Sequence, residues 1–280
     1  MFGYPRNGGH LSVMFQSCVE EIGVLTDAPL AAAFCGAGYG PLIDKLVDES
    51  WKAAQSVSSM DDVCSEIEGT IKRLYKEYGE IYQAGECPTA ELIYGVKTNE
   101  DYKLFAADGP IVNEKPIYHS SGAGYYLANF LASRMRPHEL NLYQCVILAA
   151  YILFQTKKHV EGCGGESHIA VLRDEGANGI VDTSRVEAIT NLLEVSDPEV
   201  GRLLLSIANL ELAEERLKHD FKFLVDGLQT LREGAKEKMK EEDERKHQWN
   251  QIWGIKRGPV DFLGLPLSPT KEEPEDETPC

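Results

Sequence analysis

No apolar run in the chain approaches the roughly 20 residues a helix needs to cross a bilayer, so no membrane-spanning helix is expected. The opening residues MFGYPRNGGH lack a basic region followed by an apolar one, which argues against a secretory signal. Positive charge is scarce: 28 Lys plus Arg against 45 Asp plus Glu give a net 28 − 45 = −17. A surface of that sign repels phosphate backbones and anionic lipid, so neither nucleic acid nor a membrane is expected as a partner. The final residues carry Glu272, Glu273, Glu275, Asp276 and Glu277 against Lys271, so the tail overstates the acidity of the rest.

Paired cysteine motifs are also missing. Seven cysteines, an odd number, are scattered without a C-x-x-C pair. That usage fits reduced thiols in a cytoplasmic setting better than a disulfide framework or a zinc site. His10, His138, His159, His219 and His247 share no ligand spacing, so no metal site is expected. Neither G-x-x-x-x-G-K-[ST] nor a complete G-x-G-x-x-G occurs, and no cofactor is expected.

What is present is globular: 280 residues, 43% hydrophobic and 26% charged, enough for one large domain or two small ones. After a poorly defined segment 1–21, residues 22–185 alternate strand-like runs with amphipathic helical stretches, the pattern of an α/β core. Residues 198–250 read as a charged helical extension. Residues 251–280, rich in proline and acids, are expected to form a disordered acidic tail.

The core contains an echo. PLAAAFC runs into Gly36-Ala37-Gly38-Tyr39-Gly40 and the helical PLIDKLVDESWKAA; PIYHS runs into Ser121-Gly122-Ala123-Gly124 and the helical YYLANFLASRM. A glycine turn between strand and helix exposes backbone amides that can hold phosphate. The incomplete motifs favour the alternative, that glycine lets the helix pack closely on its strand. Between the echoes, Val63, Ile67, Ile71, Leu74 and Tyr78 make one helical stripe, and ELIYGVK and YKLFAAD make a hairpin across residues 98–101. PIYHS is expected as a third strand. LNLYQCVILAAYILFQTKK, apolar almost all round, is expected as a helix buried between layers, followed by the strand HIAVLRD.

This order resembles the proteasome-type N-terminal-nucleophile hydrolase subunits of the 20S proteasome and its bacterial relatives. The motifs that carry it are FCGAGYGPLIDKL, the long second helix, ELIYGVKTNEDYKLFAAD, HSSGAGYYLANFL, AAYILFQT and EGCGGESHIAVL, covering roughly residues 22–175. The resemblance implies a layered αββα sandwich, assembly into homo- or hetero-oligomers, and in active members an N-terminal threonine tuned by an Asp and a Lys. A threonine of that kind must begin the mature chain, because its own amine acts as base. The stretch before Gly36 reads as too short for the family's two N-terminal strands, so the resemblance is to a subunit truncated at its N-terminus, with no catalytic residue assigned. Three positions match the family's site: Gly36 the oxyanion-hole glycine, Ser121 the serine beside the nucleophile, and Cys163 a serine whose usual upstream aspartate is replaced here by Val160. Thr26, as a nucleophile exposed by processing, would start on the wrong strand, and the next acid and base, Asp44 and Lys45, sit on a helix.

Other polar groupings have plain readings beside the chemical ones. Cys163 with His168 could be a nucleophile and its base, or a turn cysteine and a strand histidine. His119 with Ser120 and Ser121 could suggest a hydrolase, but the G-x-S-x-G elbow is absent. In the extension, Leu203, Ile207, Leu210, Glu214, Leu217, Phe221, Leu224, Leu228 and Leu231 recur at spacings of three and four, a possible coiled coil or a helix packed on its own domain. Trp249, Trp253, Phe262, Leu263 and Leu265 could anchor a partner. The reading that results is a proteasome-subunit-like protein, catalytically inactive, acting by assembly or protein binding. The alternatives are a threonine peptidase whose catalytic N-terminus lies outside this sequence, and a coiled-coil adaptor with an α/β scaffold.

Overall fold

The computed structural model describes residues 2–3, 12–16, 23–27, 30–57, 59–82, 87–99, 101–115, 117–135, 137–173, 178–209, 213–252 and 263–265. Its strands are β1 (Phe2–Gly3), β2 (Ser12–Gln16), β3 (Gly23–Asp27), β4 (Leu30–Gly38), β5 (Ala90–Lys97), β6 (Tyr102–Asp108), β7 (Ile111–Lys115), β8 (His168–Leu172) and β9 (Gly179–Ile180). Its helices are α1 (Gly40–Ala54), α2 (Met60–Ile81), α3 (Tyr125–Arg134), α4 (Leu142–His159), α5 (Thr183–Ala208) and α6 (Glu214–Ile252). One antiparallel sheet has the order β3-β4-β5-β6-β7 and the other β1-β2-β8-β9.

The period-two alternation of the strands sorts side chains between layers. On β4, Leu30, Ala32 and Phe34 face α1 and α2, while Ala31, Ala33 and Cys35 face the second sheet, where Ala170 and Leu172 of β8 meet them. The opposite face of β8, Ile169 and Val171, packs under α3, α4 and α5. The result is a four-layered αββα sandwich, as the resemblance implies. Phe34, Tyr94 and Phe105 stack across three neighbouring strands with ring centroids 6.0 and 5.2 Å apart, and the Tyr75 hydroxyl of α2 donates to the Ala90 carbonyl at 3.0 Å while accepting from its amide at 2.9 Å. Helix ends follow local chemistry: the Ser59 hydroxyl accepts from the Asp62 amide at the start of α2, and Asn141 and Gln144 form a capping box on α4.

Several expectations are corrected. Three strands precede β4, so the N-terminal stretch is long enough for strands after all: β2 pairs with β8 and β3 with β4. The third strand after the hairpin is Ile111–Lys115, not PIYHS, because Gly109 at φ +55° turns the chain straight back from β6 into β7.

The leucine seam is not one helix. It breaks between Ala208 and Glu214, with Leu210 outside the described residues, and α5 and α6 fold back on each other as an antiparallel hairpin. The Arg185 guanidinium, buried at the base, pairs with the Asp243 carboxylate, and the Ser206 hydroxyl lies 3.4 Å from Asp220 near the tip. α5 runs through Pro198 without ending there. Leu263 and Leu265 are buried with Val181, Val186 and Ile189 in the chain's own core, so they serve the fold and not a partner. Trp253, Phe262 and residues 266–280 of the acidic tail lie outside the described residues.

Candidate functional site

Three glycine-containing turns converge at one end of the sandwich. The first ends β4. A Cβ at Gly36 would come within 2.8 Å of Ile43 Cγ2 and 3.0 Å of Leu92 Cδ2, so glycine there is explained by the close seating of α1 on the sheet. Gly38, at φ +126°, lies so near the Thr89 carbonyl that a Cβ would stand 2.5 Å from its oxygen.

The second turn leads into α3. The Ser121 hydroxyl donates to the Glu91 carboxylate, whose Oε2 also accepts from the Gly122 amide at 3.1 Å; the Ser120 hydroxyl donates to the Tyr125 carbonyl at 3.1 Å. Glu91 is the second residue of β5, opposite Ala37 on one side and Asp108 on the other. The third turn carries Cys163, whose amide donates to the Val160 carbonyl at 3.2 Å.

Space between the turns is nearly used up. A Cβ on Gly122 would stand 3.2 Å from Ala37 Cβ, one on Gly124 3.1 Å from Cys163 Sγ, and one on Gly162 3.9 Å from Ala123 Cβ. The turns that hold Gly36, Ser121 and Cys163 therefore pack against one another, Gly36 through its neighbour Ala37. Beside them a cleft of about 350 Å³ is lined by Glu91, Asp108, Asn113, Lys115, His119 and Ser121. Burial, then the nearby Lys115 ammonium, pushes the His119 pKa down, with Glu91 pulling the other way.

On the described strands β1 to β4, the one threonine lies away from the Gly36 turn. Thr26 is paired with Ala31 on β4, about 17 Å of strand away from Gly36 at ~3.4 Å per residue. Strands β1 to β4 contain no Lys, Arg or Glu, and their one acid, Asp27, pairs with Leu30 at that same far end. No cation on these strands could lower the pKa of an attacking group. The Cys35 thiol, between the sheets, is pushed up to about 11 by burial and is no thiolate.

Cys163 Sγ borders the Gly124 turn, whereas His168 Nε2 lies 3.7 Å from Glu166. The Ser121 proton goes to Glu91 directly, which is not the serine–histidine–acid order of a triad. Among the described residues, no group of three His, Cys, Asp or Glu side chains is placed to hold a metal, and no helix is long and apolar enough to cross a membrane.

Sequence reasoning missed Glu91, the residue that ties the second turn to the sheet. The signal was an acid at the head of an apolar strand, facing another acid, Asp108, across the ladder, an unfavourable pair unless something else satisfies it.

No family model matches the chain, and no curated protein matches it. Solved structures do. The Anbu (ancestral beta-subunit) from Yersinia bercovieri is 12% identical with a TM-score of 0.54, over 74% of this chain and 95% of its own. Anbu from Hyphomicrobium sp. strain MC1 is 11% identical with a TM-score of 0.50, over 76% and 97%. The Anbu complex from Pseudomonas aeruginosa, described as a helical assembly, is 11% identical with a TM-score of 0.52, over 69% and 91%. These relatives are Anbu proteins, a distinct proteasome-related family, and not typical 20S subunits. The expected identity of a truncated 20S-type subunit is corrected accordingly. At such identity the likeness establishes the fold alone: this chain shares the layered sandwich of those Anbu structures.

Proposed function

We propose that this chain is a non-catalytic, proteasome-related subunit that works by assembling with protein partners in the cytoplasm, copies of itself among them. The observation that carries the reading is the composition of β1 to β4. The strands that lead to the Gly36–Gly38 turn hold no lysine, and their threonine, Thr26, pairs at the far end of β4. The turns at Ser121 and Cys163 are filled by packing and by the Glu91 carboxylate, which supports a structural use of positions that could otherwise serve catalysis.

Assembly is supported by the fold, since an Anbu protein of the same architecture forms a helical assembly. It is also supported by exposed apolar side chains on two helices of this chain, Leu204 and Leu205 on α5 and Phe221 and Phe223 on α6. Native mass spectrometry of the full chain tests it: particles at integer multiples of 31.1 kDa are expected. A single species at the mass of one chain, over the micromolar range, overturns it.

A further inference from the structure

On α5, Val186, Leu193, Val200 and Ile207 recur at intervals of seven, with Ile189 and Leu204 between them, a heptad stripe. Its inner half is seated: Val186 and Ile189 are buried, and Leu193 packs against the same cluster, with α4 beneath. Its outer half is bare, with Val200 42%, Leu204 61% and Ile207 50% exposed. The helix hairpin supplies one more residue to that side. Ser206 faces Asp220 across the hairpin, and in antiparallel helices the next residue on each turns by about 100° to the same side. Ile207 and Phe221, 54% exposed, therefore share a face.

We propose that this outer stripe, Val200, Leu204, Ile207 and Phe221, is the docking face for the same stripe of a second copy, related by a two-fold axis, so that two hairpins join as a four-helix bundle. The proposal rests on the assembling role above and names the surface that performs it.

Three observations favour a second copy as the occupant. The stripe continues an interface already formed with α4, and a heptad face is matched in period by another of its own kind. The four side chains expose on the order of 400 Å² of apolar surface. At the ~60% apolar share usual in interfaces this is roughly 700 Å² per copy, near the ~800 Å² of a stable complex. Several charges beside the stripe pair within each hairpin: Arg202 with Glu199 at 2.6 Å, Arg216 with Asp220 at 3.3 Å, Lys218 with Glu214 at 2.8 Å. Pairing of this kind lessens the repulsion that two chains of net charge −17 bring to the contact.

Sedimentation velocity on the full chain tests this with a double variant, Leu204→Lys with Ile207→Lys, and a control, Phe223→Lys. Phe223 is 70% exposed and sits about 200° round α6 from Phe221. Circular dichroism melts confirm that all three proteins fold, since every substituted side chain is exposed. The expected result is an assembled wild type, a particle of half its mass for the double variant, and no change for the control. An assembled wild type whose mass the double variant leaves unchanged overturns this interface while leaving the assembling role intact. A wild type that stays monomeric overturns both, and leaves the stripe to a different protein.

Discussion

Ser121 donates its hydroxyl proton to Glu91, thirty residues earlier in the chain, and so fastens the turn before α3 to the start of β5. Removing that hydroxyl with Ser121→Ala takes away one hydrogen bond to a charged acceptor at a partly exposed site, expected to cost about 1 kcal/mol. Glu91→Ala, which also strands the Gly122 amide, is expected to cost more. Urea melts of the two variants check the order.

Glycine at two neighbouring positions has two different causes, which substitution separates. Gly36→Ala meets only the ends of the Ile43 and Leu92 side chains, which can give; a loss of about 1–3 kcal/mol is expected. Gly38→Ala meets the Thr89 backbone carbonyl and a positive φ together and is expected to cost more. Gly69, inside α2 with nothing within 4 Å, is the control: alanine there gains roughly 0.5–1 kcal/mol. Thermal melts should place Gly69→Ala highest, Gly36→Ala below it and Gly38→Ala lowest.

Much of this was legible in the sequence because it depends on local periodicity. The stripe of α2, the hairpin of β5 and β6, and the almost uniformly apolar α4 follow from side-chain spacing alone. What was not legible depends on contacts between distant residues. Nothing local in PIYHS or in IVNEK says which pairs with YKLFAAD; the turn at Gly109 decides it. The break in the leucine seam at residues 209–213 was hidden because the spacing of three and four continues across it. Leu263 and Leu265 looked like free anchors because their partners, Val181, Val186 and Ile189, lie more than seventy residues earlier.

The hairpin base carries a buried cation whose loss of partner is measurable. Arg185 is almost fully buried and pairs with Asp243, which is partly exposed. Asp243→Asn removes one countercharge from the guanidinium, and a loss of about 2–3 kcal/mol is expected, below the full cost of a wholly buried pair. Arg185→Met, of similar length and apolar, is expected to cost less. Guanidinium unfolding curves distinguish the two.

Stability should fall with acid in two separate windows. Burial raises the Asp182 pKa, but hydrogen bonds from Lys246 and Ser184 outweigh it and hold the carboxyl below its ordinary range. Its folded pKa is depressed, so the stabilisation is present above about pH 4 and disappears as pH falls through the folded value. His119, depressed by burial, contributes above about pH 6.5 and loses that contribution as pH falls below it, because the unfolded chain takes up the proton first. Asp182→Asn should flatten the lower window and His119→Gln the upper one, read as melting temperature against pH.

The proposed non-catalytic role is tested most directly by turnover of fluorogenic peptides by the full chain with and without a threonine-directed covalent inhibitor. No turnover above the inhibited control is expected. Turnover that the inhibitor abolishes, with the inhibitor recovered on a threonine of the chain, would contradict it.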